Sequence, residues 1–475
     1  MFEQIRHDRM AVQFTGTEAG TAPLTWGQLA ILQDMQDNGD QFTMYGAIPL
    51  PAGSTVEDAA SWLGALIHRH AALRTRLADG PGDRPRQEVA ASGETGLDIR
   101  TMPDDADESD RERYVEHLLT AWPLAPFDFH RDWPLRMAVL RQRGACRDLV
   151  WTLSHLVADG TANMFLLREL MQEVAGRPVS GPGRPEILDV ARSEQEPQLS
   201  HLSRRAMRYW ESQLSHIPAL TFGEPVHSGS QPAQRYGQVK FGSPAAHLAI
   251  AAIARRTRTD TSRATLAVVT TAIGRVAGVS PLTLNVMVSN RFRPSLAGVF
   301  APVAQNSVVT IEAASASIDE VVAQTRTASL TAGMRAYYNP DHLTEVMARS
   351  AAERGYPARV SCRFNDQRAM VTRPDEEDSP GDVTPEQVTR RLTETSLAWQ
   401  RPLDRLHDQL SIIIQNRADT LSLHLKCDLW CFSREQIEAL LRGIEEVAVE
   451  AAFDPAAQAK ALPRGGDRTA APAGS

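Results

Sequence analysis

The most informative run of apolar and polar positions lies between residues 149 and 176. Residues 149–153 (LVWTL) are apolar and rich in strand formers, long enough for a buried strand. Period-two alternation puts Leu149, Trp151, Leu153 and His155 on one face and turns Ser154 to the other. After Gly160 the spacing becomes helical, with Met164, Leu167, Leu170, Met171 and Val174 on one stripe and Gly176 placed to end the helix. His155 therefore stands where a buried strand gives out and the chain turns.

The same reading applied elsewhere predicts a mixed α/β chain. A helix opens after residues 23–28 (PLTWGQ) with Thr25 as its cap. Residues 54–57 (STVE) read as a capping box for a helix striped by Ala59, Ala60, Leu63, Leu66 and Ile67. Residues 69–77 pass from helix to strand, and His68 and His70 read as a solvated helix end, where cations suit the macrodipole. Strands are predicted over 135–140 and 282–289, helices over 201–214, 244–258 and 264–276, and a hairpin pairing 410–415 with 421–427. A second capping box, SREQ at 433–436, starts the last helix through Ile437, Leu440, Leu441, Ile444 and Val447.

Punctuation divides the chain. Residues 176–185 (GRPVSGPGRP) break both periodicities and read as the linker. The expected organisation is an N-terminal extension over 1–18, a lobe over 19–178, a linker over 179–198, a second lobe over 199–453 and a disordered tail over 454–475. The acidic stretch from Asp375 to Gly381 reads as a solvated insertion. At 475 residues, two domains are the natural prior.

Composition narrows the function classes. Apolar content of 42% and charged content of 23% fit a soluble globular protein. A net charge of −8 argues against nucleic acid as the main partner, which calls for a basic field. The charged amino terminus lacks the apolar core of a secretory signal, and no run approaches the length of a membrane span. Four cysteines without metal-type pairing fit a reducing cytoplasm and no zinc, and no phosphate loop, nucleophile elbow or dinucleotide-type glycine cluster is present.

The candidate chemistry centres on SHLVADG at 154–160. Position alone favours a core histidine hydrogen-bonded at a strand end over a base. An imidazole titrates near 6.5, so its neutral ring accepts a proton at neutral pH. Asp159 fits the cap of the following helix, and Gly160 permits a tight turn. The stretch resembles the HHxxxDG signature of the condensation domains of nonribosomal peptide synthetases, which belong to the chloramphenicol-acetyltransferase-like superfamily. Further likenesses come in the family's order: PLTWGQ at 23–28, RHAALRT at 69–75 (RHExLRT, with Ala71 where Glu is usual), PLRMAVL at 134–140, Tyr209-Trp210, NRFR at 290–293 and GVF at 298–300. Ala301 and Pro302 intrude before Asn306, and Ser154 stands where the family usually carries its first histidine.

The resemblance covers roughly residues 20–450 and implies an α/β (α+β) fold of two chloramphenicol-acetyltransferase-like lobes, a pseudo-dimer with an active-site channel between them. It implies a free-standing acyltransferase that joins an acyl or aminoacyl thioester, presented on a carrier-protein phosphopantetheine, to an amine or hydroxyl. His155 would be the base or positioning residue, and Asp159 would make a structural salt bridge to Arg291 or Arg293. The expected partners are carrier proteins in trans and a small-molecule or carrier-bound nucleophile, with no bound cofactor, metal, membrane or nucleic acid. Two other readings stay open: an O-acyltransferase using coenzyme A or a polyketide carrier, and a catalytically silent domain that recruits another protein.

Overall fold

Burial alternates along residues 10–15, with Val12 and Phe14 inside and their neighbours outside, and the first strand runs over residues 6–15. It was expected to be an extension; its polar outer positions hide the alternation of a sheet edge. The computed structural model describes residues 5–39, 41–179, 185–222, 234–314, 316–368 and 382–457. The acidic stretch over 375–381 lies outside them, as do residues 458–475 of the expected tail.

Two units divide the chain. The first comprises Met1–Ser203 together with Ser289–Gln305 and Tyr338–Pro340, and the second comprises Arg204–Val288, Asn306–Tyr337 and Asp341–Ser475. The division is not purely sequential, because two short segments of the second half belong to the first unit.

In the first unit the order is β1 (Arg6–Thr15), β2 (Gly20–Pro23), α1 (Trp26–Asn38), β3 (Thr43–Pro49), α2 (Val56–Arg69), β4 (Thr75–Ala78), β5 (Arg86–Val89) and β6 (Ser92–Thr101). There follow α3 (Glu108–Ala121), β7 (Leu135–Gln142), β8 (Ala145–Ser154), α4 (Gly160–Val174) and α5 (Ile187–Ser193). Five strands form one sheet in the order β1-β6-β7-β8-β3, with only the β6–β7 pair parallel. The strands β2, β5 and β4 form a smaller antiparallel sheet. The interior strand β8 buries Leu149, Val150, Trp151 and Leu153 almost completely, as its unbroken apolar run requires.

Caps set the helix starts. Thr25 and Gln28 make a reciprocal capping box at α1. At α2 the box belongs to Thr55 and Asp58 rather than to Ser54, whose hydroxyl instead donates to the carbonyl of Pro51. The expected linker is partly structured: residues 180–184 lie outside the description, but α5 buries Ile187, Leu188, Val190 and Ala191. That apolar patch is strong enough to hold a two-turn helix beside the proline-rich stretch.

Helix α6 (Pro197–Leu214) leads into the second unit, with β9 (Tyr236–Ser243), α7 (Pro244–Arg256), α8 (Thr261–Ala277), β10 (Leu282–Val288), β11 (Gln305–Ile311), α9 (Ile318–Met334) and α10 (Pro340–Arg354). It ends with β12 (Cys362–Asp366), α11 (Pro385–Arg391), β13 (Ser396–Trp399), β14 (Leu410–Gln415), β15 (Leu421–Asp428) and α12 (Arg434–Phe453). The seven strands run β11-β10-β12-β14-β15-β9-β13. The β14–β15 hairpin pairs Leu410 with Cys427 through Gln415 with Ser422. One core joins this sheet to α7, α8, α9 and α12. Order persists to Ala457, whose carbonyl accepts from the Ile318 amide, so the first residues of the expected tail, 454–457, are structured. Among the described residues no helix is long and apolar enough to cross a membrane.

Candidate functional site

Strand β8 carries the site to its place. Ser154 pairs with Thr43 of β3, its amide donates to the Pro134 carbonyl, and the His155 amide donates to the Phe42 carbonyl. Both neighbours therefore hold the chain where the strand ends. On β3 a glycine is required beneath this strand, since a Cβ at Gly46 would lie 2.2 Å from the Trp151 indole. Trp151 in turn donates from Nε1 to Asn163 of α4, fixing the strand against the helix that follows.

Ser154 is fully buried, and its hydroxyl accepts from the Leu156 amide at 3.2 Å, closing the turn. His155 is half-buried. Its Nδ1 is enclosed and has no hydrogen-bond partner among the described residues, whereas Nε2 is not enclosed. No hydrogen bond to a described residue occupies Nε2.

Asp159 meets two requirements at once. Its Oδ1 accepts from the Ala162 amide at 2.9 Å, capping α4. Its Oδ2 accepts from Arg291 Nη1 at 2.6 Å and from the amides of Val303 and Ala304 at 3.0 and 3.1 Å. The cap and the salt bridge are not alternatives; each uses one carboxylate oxygen. Arg291 completes the arrangement with Nη2 on the carbonyls of Val299 and Ala301 and its guanidinium near the Phe165 ring. Arg293 does not pair with Asp159; its guanidinium lies by the Phe292 ring. Gly160 is the first helical residue and lacks a positive φ, so no left-handed turn calls for glycine there.

The segment 289–305 is gripped elsewhere too. Asn290 has φ 58°, a conformation asparagine tolerates, and donates from Nδ2 to the Val303 carbonyl. A Cβ at Gly27 of α1 would lie 1.6 Å from the Pro302 carbonyl oxygen, so that glycine is what lets the segment approach the helix. His70 stacks on Phe300 with ring centroids 4.3 Å apart.

That histidine corrects one expectation. His70 is 3% exposed, and its Nε2 lies 2.8 Å from Oε2 of Glu169, itself buried on α4. Arg69 adds ion pairs to Glu169 and Glu173. His68 remains exposed, with Nδ1 on the Thr15 carbonyl. The stripe of α4 is also displaced from the expected one: Ala162, Leu166, Glu169 and Leu170 face inward, while Met171 is exposed. A carboxylate one position before Leu170, within an apolar stripe, was the signal that could have pointed to Glu169.

Two further charged groups lie elsewhere in the first unit. Arg74 is buried and donates to the carbonyls of Ile67, Glu18 and Ala90, and burial pulls its pKa down. Glu186 accepts from the Ala71 amide, and burial pushes its carboxyl up to about 7.

The condensation-domain family profile matches residues 18–464. The chain belongs to the condensation domain family. Phosphinothricin tripeptide synthetase PhsC of Streptomyces viridochromogenes is 27% identical over 297 residues, which is 58% of this chain and 26% of that protein. Tyrocidine synthase 3 of Brevibacillus parabrevis is 30% identical over 150 residues, 31% of this chain and 2% of that protein. The chain thus spans about a quarter or less of the length of these relatives. Among solved structures, the X-domain from teicoplanin biosynthesis superposes with a TM-score of 0.68 at 19% identity, covering 95% of this chain and 99% of that one. The condensation domain of chain release from the enacyloxin polyketide synthase gives 0.67 at 18%, covering 93% and 84%. These likenesses establish the condensation-domain, chloramphenicol-acetyltransferase-like fold for the α/β architecture described above.

Proposed function

We propose that this condensation-domain protein transfers an acyl or aminoacyl group from a carrier-protein phosphopantetheine thioester to an amine or hydroxyl, with His155 as the base or positioning residue. The observation that carries this reading is the half-buried His155 ring at the end of β8, with no hydrogen bond to a described residue at Nε2 and the following turn clamped through Asp159. An amine with pKa near 8 is partly deprotonated at neutral pH, so its lone pair attacks the thioester carbonyl with His155 orienting it. A hydroxyl needs its proton taken by Nε2 as the oxygen attacks. An attacking amine becomes cationic and gives a proton to Nε2 after attack; in both cases the carbon–sulfur bond of the tetrahedral adduct then breaks, the thiolate leaves, and the proton held on the imidazole passes to sulfur. Asp159 and Arg291 shape the turn and take no part in proton transfer. No cofactor is required for these steps, and the nucleophile would be a small molecule or carrier-bound.

Two other readings have support of their own. Likeness to the condensation domain of chain release from the enacyloxin polyketide synthase favours an acyl donor carried on a polyketide synthase, the second reading being transfer to a hydroxyl from a polyketide carrier or coenzyme A. Ser154 in place of a histidine, with likeness to an X-domain solved in complex with OxyB, favours recruitment without turnover. Incubation with acyl-loaded carrier or acyl-coenzyme A and panels of amines and alcohols, followed by product mass, separates the three. Amide or ester product from loaded carrier supports the first reading, and product from acyl-coenzyme A alone supports the second. Absence of any product, with a stable complex to a partner enzyme of the assembly line, supports recruitment and overturns the proposal.

A further inference from the structure

A cleft of about 660 Å³ lies wholly within the first unit, between β1, β6, β7, β4 and residues 131–133. None of residues 154–160 lines it. Its carboxylates are already engaged. Asp132 accepts from Arg136 and from the Asp128 amide, each at 3.1 Å, Glu94 accepts from Gln13 at 2.5 Å, and Asp98 faces Arg100 at 3.3 Å and Arg9 at 3.8 Å.

One cation in the cleft differs. The stretch RHAALRTR sets two guanidiniums two residues apart, and Arg74 finds three carbonyls. Arg76 stacks on Trp133, with Cζ 3.4 Å from the ring centroid, and its side chain makes no hydrogen bond or ion pair to any described residue. Its Nε is enclosed and unpartnered. Burial acts against its charge, offset only by the more distant Asp132 and Glu88. The indole covers one face of the guanidinium and holds it flat, which leaves the in-plane N–H edge for a ligand. A planar fork of this kind matches two oxygens of a carboxylate or phosphate. The cleft's volume falls within the roughly 300–1,000 Å³ usual for small-molecule sites, so it holds an organic body as well as the anion.

We infer that this cleft binds a small organic oxyanion, a carboxylate or a phosphate ester, through Arg76 braced on Trp133. The inference stands apart from the reaction at His155 and survives its failure. Calorimetric titration with benzoate and, separately, phenyl phosphate tests it and distinguishes the two anions on one organic body. The expected result is saturable one-site binding of at least one probe, weakened about tenfold or more by Arg76→Gln, since charge-assisted hydrogen bonds are lost. Arg76→Lys, which keeps the charge but not the fork, should fall between the two and carries the comparison if Arg76→Gln fails to fold. Benzylamine should not bind. Absence of saturable binding for both probes overturns the inference, as does equal affinity in wild type and Arg76→Gln. Loss of binding in His155→Ala also overturns it, because the probe would then be reading the other site.

Discussion

Truncating Asp159 to alanine removes the acceptor for four donors at once: the Ala162 amide on Oδ1, and Arg291, Val303 and Ala304 on Oδ2. The residue is 2% exposed, and the Arg291 side chain is 9% exposed, so water cannot replace what is lost. Removing one partner of a buried ion pair costs about 3–5 kcal/mol, and loss of a helix N-cap costs about 1 kcal/mol. Arg291 keeps the carbonyls of Val299 and Ala301, which places the expected total near the low end, about 3–4 kcal/mol. Urea unfolding of wild type, Asp159→Ala, Arg291→Met and the double variant measures this. The double variant should lose less than the sum of the singles by about 1.5–3 kcal/mol, as contacting buried groups do. A loss below about 1 kcal/mol in Asp159→Ala, or strict additivity in the double variant, would refute the clamp.

Other consequences follow from the same geometry. Gly27→Ala forces a Cβ against the Pro302 carbonyl, so it should destabilise by about 2 kcal/mol or more and speed amide exchange at Val303 and Ala304; unchanged exchange there would contradict the close approach. Glu186, raised to about 7 by burial against an ordinary 4.5, holds in the folded state a proton that the unfolded chain has released. Its contribution is therefore favourable at low pH and lost as pH climbs from about 4.5 through 7. Glu186→Gln should gain about 2 kcal/mol on wild type at pH 8 and almost nothing at pH 5, allowing for partial exposure of the group, and thermal melts at the two pH values would expose a missing gap. Ser154→Ala removes the acceptor for the Leu156 amide and should cost about 1 kcal/mol in chemical denaturation, with no loss if the hydroxyl is idle.

Much of the framework was readable because burial follows a simple period. The apolar run of β8, the β14–β15 hairpin and the stripe of α12 through Ile437, Leu440, Leu441, Ile444 and Val447 are all core elements. Strands at the polar side of the first sheet were not readable: β6 has Leu97 as its one fully buried position, and β1 is mostly exposed. Composition misled at α5, where proline and glycine nearby obscured four buried apolar residues in seven. At the site, sequence offered the cap and the salt bridge of Asp159 as separate readings, because a letter does not show that a carboxylate has two oxygens to share. His70 looked like a solvated helix end because its partners lie far along the chain, Glu169 at a separation of 99 residues and Phe300 farther still.

The central claim is that the His155 imidazole serves the transfer of an acyl group. Single-turnover rates with an accepted loaded carrier and nucleophile, compared between wild type and His155→Ala at matched thermal stability, test it most directly. The account predicts a fall of about 10²–10⁴-fold for a hydroxyl nucleophile and a smaller one for an amine. An unchanged rate in His155→Ala with a hydroxyl acceptor would contradict it.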